Sequence, residues 1–176
     1  MSSNVTYETA DDIASVLPIF PLSGALLLPR GQMPLNIFEP RYMAMIDTAM
    51  STHRLIGMVQ PEIEGDNPRM QSKLYTVGCA GRITQLAESG DGRYIVTLSG
   101  ICRFKVLSEL SVLTPYRQCQ VDYTPFAIDL KPRAGEDAVD RKALLVTLKA
   151  FAEQNDMPID WDSVNRSEER RVGKEC

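Results

Sequence analysis

Between Leu17 and Met50 the chain carries five prolines (Pro18, Pro21, Pro29, Pro34 and Pro40), and this spacing limits the fold more than any other feature. Proline fixes φ and has no N–H to donate. Each apolar run between two prolines is therefore held to a short extended piece, an edge strand or a turn. After Pro40 the pattern changes: Tyr42, Met45, Ile46, Ala49 and Met50 fall at i, i+3, i+4, i+7 and i+8. That spacing predicts an amphipathic helix of about three turns with Pro40 at its first position, where the missing donor is unpaired anyway. The expected order is strand, Gly-Pro turn, strand, helix.

The remaining chain reads as strands until near Phe126. Leu55–Val59 is an uninterrupted apolar run, expected as a buried strand, and Gln60 to Lys73 is a polar loop. Its Glu62, Glu64 and Asp66 lack the glycine and distal glutamate of a calcium loop, so a solvated acidic loop is expected. Leu74–Val77 leads through Gly78 and Gly81 into Arg82–Ala87. Asp91-Gly92 then signals a hairpin into Tyr94–Leu98. Gly100 interrupts that run, and a bulge or sharp bend is expected there. Tyr116, Cys119, Val121 and Tyr123 mark one more strand. A long strand that bends at a glycine is how a sheet of about six strands curls towards a barrel. Beyond a polar connector, Val139, Ala143, Leu144, Leu148, Phe151 and Ala152 form a helical stripe. Asp160 is placed to cap a further helix near Trp161.

Composition narrows the functional classes. At 176 residues and 44% hydrophobic content the chain can bury a core. No apolar run reaches the length of a membrane span, and the polar, acidic start lacks the basic region of a signal peptide, so a cytoplasmic location is expected. The last eleven residues, RSEERRVGKEC (Arg166–Cys176), resemble the translation of a sequencing adapter, and the natural sequence is expected to depart near Asn165. Four of the 19 basic and three of the 23 acidic residues lie in that tail, so the rest carries a net charge of −5. Such a chain gains little from phosphate, which disfavours nucleic acid and anionic membranes. Cys79, Cys102 and Cys119 are widely spaced, with no CxxC or Cys/His pair, and read as buried free thiols rather than a zinc site.

The inventory for catalysis is thin. His53 is the single histidine and follows a helix end, where a cationic capping role is expected. There is no G-x-S-x-G elbow and no phosphate-binding G-x-x-x-x-G-K-[ST]. No catalytic, cofactor or metal residue is therefore assigned. Arg82, Arg93 and Arg103 are expected as solvated outer-face positions, with a basic stripe on a shared face as the alternative. Glu39 and Arg41 flank Pro40 and read as a structural latch at the helix start, with a ligand contact by Arg41 as the alternative. Leu26, Leu27 and Leu28, next to the Pro29-Arg30-Gly31 turn and followed by Met33, are unusually apolar for a turn. Core burial explains such a run. Its alternative is an exposed groove that grips other chains, aided by adaptable methionine.

Several motifs occur in one order: LPIFPL, LLLP…G…PL, IFEPRY, Ile56–Pro61, Val77–Ile83, Asp91-Gly92-Arg93-Tyr94 and Leu98–Phe104. Over roughly Val16 to Asp162 they resemble the N-terminal substrate-binding domain of Lon proteases, closest to its free-standing bacterial form. The resemblance implies an α+β fold: a curled antiparallel β pseudo-barrel of PUA-like type with one helix, then a truncated C-terminal helical segment. The expected divisions are a mobile lead-in at 1–15, the β domain at 16–128, the start of a helical subdomain at 129–165 and the tail at 166–176. A non-catalytic domain is implied, without the ATPase and Ser-Lys peptidase regions of the full proteases. It would bind unfolded or degron-bearing polypeptides through apolar contacts and strand addition. Leu26, Leu27, Leu28, Met33 and Arg41 are the candidate contacts; no cofactor is implied, and self-association stays open. The alternative is an RNA-binding module of the PUA-like kind.

Overall fold

A computed structural model describes residues 6–62, 72–135 and 138–161. The chain divides into two compact units, one running to Ala134 and one beginning at Gly135.

The first unit is a six-stranded sheet with strands β1 (Val16–Pro21), β2 (Gln32–Ile37), β3 (Leu55–Val59), β4 (Val77–Glu88), β5 (Tyr94–Glu109) and β6 (Arg117–Asp122). Helix α1 (Pro40–Ser51) lies between β2 and β3, and a 3-10 segment, Thr124–Leu130, follows β6. The sheet order is β2-β5-β4-β3-β1-β6, and β5 also pairs with β6. Five strands thus close into a ring. The long β5 lends its first half to β2 (Tyr94–Ser99) and its second half to β6 (Lys105–Glu109). The α+β pseudo-barrel implied by the resemblance is observed, with one correction: the sheet is mixed, not wholly antiparallel. Within it β1 and β3 run parallel, with Ile19 opposite Gly57, while the other pairings are antiparallel. A parallel pair needs a crossover, and the chain makes it through β2 and α1.

Burial follows the sequence pattern. All five residues of β3 are buried: Leu55 and Val59 in one apolar cluster, Ile56 and Met58 in another. This two-sided burial accounts for the unbroken apolar run. Tyr42, Met45, Ile46 and Ala49 of α1 pack into the first cluster with Phe20, Leu35, Ile37, Val96 and Leu98. The second cluster is built around Phe104, whose ring lies so close to Gly78 that a Cβ there would sit 2.6 Å from it. The bend expected at Gly100 is a bulge: Ala80 faces Cys102 and Gly81 faces Gly100, leaving Ile101 unpaired.

One expectation needs correction, and others fall outside the described residues. The lead-in is not loose from Tyr7 onward. Ile13 is buried, Tyr123 Oη donates to the Ala14 carbonyl (2.9 Å), and Arg82 Nη1 donates to Tyr7 Oη (2.9 Å). The acidic-loop reading falls mostly on residues 63–71, outside the described residues, as do the RSEERRVGKEC tail and all but the first residue of the helix expected near Trp161.

In the second unit α2 (Arg141–Gln154) starts on Asp140, whose carboxylate accepts from the Ala143 N–H at 3.0 Å. Its Ala152 is buried, whereas Leu144, Leu148 and Phe151 are exposed.

Candidate functional site: the leucine loop and its anchorage

The loop between β1 and β2 separates the three leucines. Leu27 is 4% exposed and belongs to the core, while Leu26 and Leu28 on either side stand 68% and 55% exposed. Leu27 is thus corrected to a core residue. Gly81 accounts for this: its missing Cβ leaves the space into which Leu27 Cδ2 reaches. Met33 is half-buried against the same cluster.

The loop backbone lies on β5. A Cβ at Gly100 would sit 2.0 Å from the Leu28 carbonyl oxygen, so only glycine admits the crossing. Arg30 N–H donates to the Gly100 carbonyl (2.8 Å), and Gly100 N–H donates to the Gly31 carbonyl (2.8 Å). With Gly31 turned towards β5, strand alternation turns Met33, Leu35 and Ile37 towards it too, and sends Pro34 to the free edge of β2. Pro34 offers that edge a carbonyl but no N–H. Strand addition there has only Gln32 and Asn36 as donors.

Arg30 has a left-handed backbone (φ 64°), and its Nη2 donates to the carbonyls of Asp129 (3.0 Å) and Lys131 (2.6 Å). Asp129 in turn accepts from Arg103: Nε at 2.8 Å, Nη2 at 2.7 Å and the backbone N–H at 3.0 Å. The Arg103 hydrogen bond holds the Asp129 carboxyl below its ordinary value, with the nearby Arg30 charge adding to the effect. The Arg103 guanidinium also lies over the Phe126 ring, 4.7 Å from its centroid. Nothing in the sequence pointed to this network, because it joins residues about a hundred positions apart.

Arg41 lies elsewhere. It forms the expected latch with Glu39 (Nε to Oε2, 2.8 Å) and stacks on Tyr42 at 4.5 Å. It borders a cleft of about 580 Å³ with Pro21, Tyr42, Pro61, Val112 and Tyr116. Across that cleft Arg117 grips Glu109 and donates to the Ser72 carbonyl (2.8 Å). The structure therefore does not bring Arg41 together with the leucine loop.

The other candidate groups have structural partners. His53 is corrected: its Nδ1 accepts from the Leu55 N–H (3.1 Å), which requires that nitrogen unprotonated, and burial lowers its pKa. It is a neutral acceptor, not a cationic cap. Arg82 bonds Tyr7 and the His53 carbonyl, Arg93 pairs with Asp91 in the hairpin turn, and Arg103 holds Asp129, so the three form no basic stripe. Cys79, Cys102 and Cys119 are buried free thiols, and burial pushes Cys79 up to about 12 and the other two to about 11. Among the described residues no three His, Cys, Asp or Glu side chains converge as a metal site. No helix among them is long and apolar enough to cross a membrane.

A family model described as the ATP-dependent protease La (LON) substrate-binding domain matches residues 16–169. The chain belongs to this family. A Lon protease of Anaeromyxobacter dehalogenans is 33% identical over 145 residues, covering 82% of this chain and 16% of that protein. Lon protease 2 of Myxococcus xanthus is 32% identical over 145 residues, again 82% of this chain and 17% of the relative. The chain thus spans about one sixth of the length of these Lon relatives. A Lon N-terminal domain protein from Xanthomonas campestris aligns with TM-score 0.51 and 24% identity, over 62% of this chain and 60% of its own. The N-terminal domain of the Mycobacterium avium complex Lon protease gives TM-score 0.52 and 19% identity, over 86% and 75%. At those identities the Lon N-terminal domains share the fold.

Proposed function

We propose that this chain is a non-catalytic polypeptide-recognition domain that binds unfolded or degron-bearing chains through the apolar loop at Leu26 and Leu28. The observation that carries the reading is the pairing of exposure with rigidity. Two large leucines stand in solvent on a backbone fixed at Gly100 by reciprocal hydrogen bonds. Mobile loops lose ordering entropy on binding, whereas a pre-set one does not, so such leucines can act as anchors. Membership of a substrate-binding domain family supports the reading. Strand addition at β2 is a minor contributor, because Pro34 breaks the row of donors.

The RNA-binding alternative has little support. Arg82 and Arg103 are engaged with acceptors of the chain itself, Arg93 is paired with Asp91 at the surface, and the chain is acidic. The test is fluorescence anisotropy of fluorescein-labelled β-casein, an unfolded chain, against the wild type and Leu26→Ser/Leu28→Ser. The double variant is expected to bind at least about tenfold more weakly. Wild-type affinity is expected to change little between low and high salt. Unchanged affinity in the double variant, or a steep loss of wild-type binding with salt, would overturn the assignment.

A further inference from the structure

Leu28 lies two residues before Arg30, and the Gly31 N–H donates back to the Leu28 carbonyl at 2.9 Å. Arg30 therefore sits inside the turn that Leu28 opens and Gly31 closes. Arg30 reaches across the fold to the end of the 3-10 segment and holds two carbonyls, at Asp129 and Lys131, with one nitrogen. That segment is itself fastened to β5 by the doubly bonded Arg103–Asp129 pair, whose carboxylate side chain is only 9% exposed. We propose that Arg30 is a positioning residue. Its clamp on the Thr124–Leu130 segment, with Arg103–Asp129 as the foundation, holds the leucine loop in its binding-ready form.

The inference rests on the polypeptide-recognition reading of the loop and adds its mechanism. A residue with positive φ and a long side chain is an uncommon choice for a turn. Here the left-handed backbone turns the guanidinium towards the 3-10 segment while its N–H still reaches Gly100. Without the clamp, a flexible loop would have to be ordered at each encounter. The loss would appear chiefly as faster dissociation, where most affinity differences between variants of one interface lie.

The discriminating substitution is Arg30→Gly, which accepts the left-handed backbone without strain and removes the whole side chain, guanidinium included. Two readouts are taken together: β-casein dissociation by stopped-flow, and hydrogen exchange at the amides of residue 30 and Gly100. The expected result is about tenfold faster dissociation, the size set by loss of charge-assisted hydrogen bonds, with faster exchange at both amides. Arg30→Lys keeps the charge and a donor. It is expected to recover part of the affinity, which a general loss of packing would not allow. Wild-type dissociation in Arg30→Gly, with exchange either faster or unchanged, would overturn the clamp while leaving the loop assignment standing. Failure of the wild type itself to bind β-casein would overturn both.

Discussion

At the residue scale, Asp129 is the most informative group. Its carboxylate is nearly buried and answers one arginine with both oxygens. Its folded pKa lies below the ordinary 3.8. A depressed carboxylate contributes stability that is present above the unfolded pKa and is lost as pH falls through the folded one. In urea titrations, Asp129→Asn is therefore expected to be less stable than the wild type near neutral pH, with the gap closing as pH drops below about 3.8. A gap that stays constant down to about pH 2 would show that Asp129 acts through packing, not charge. His53 has the opposite character: a half-buried neutral ring that accepts one backbone N–H.

At the scale of elements, helices α1 and α2 carry the same kind of stripe in different settings. Met45 of α1 is fully buried, whereas Leu144 of α2 is 57% exposed. Met45→Ala is expected to cost about 2–5 kcal/mol in denaturant unfolding, as core truncations do, and Leu144→Ala about 0.5 kcal/mol or less. Comparable losses would mean that the α2 stripe is covered in solution. Much at this scale was legible from local pattern. Leu55–Val59 is β3 at the expected bounds, Asp91-Gly92 is the β4–β5 turn, and Gly100 sits at a bulge. Each of these signals lies within a few residues of its consequence. The parallel β1–β3 pair and the Arg30–Asp129 contact were illegible because they depend on how distant segments meet. For the same reason the leucine loop was read only as a run. Which leucine turns inward is decided by Gly81, more than fifty residues along the chain.

At the scale of the whole molecule, the first unit is a ring of strands with two filled apolar clusters, and among its described residues apolar loops are displayed at Leu26 and Leu28 and at Val112 and Leu113. The Lon relatives carry the matched 145 residues within proteins about six times as long as that match. Two surfaces compete as the contact site: the leucine loop, and the cleft beside Arg41 and Tyr42. The cleft's arginines are already paired with Glu39 and Glu109, so it offers a charge-balanced rim. The loop offers exposed leucine on fixed backbone. The most direct test is a ¹H–¹⁵N correlation spectrum of the chain titrated with unlabelled β-casein. With the leucine loop as the contact site, the largest shift changes are expected at residues 25–33 and at Gly100. Changes concentrated at residues 107–117 and 41–42, or no changes at all, would contradict it.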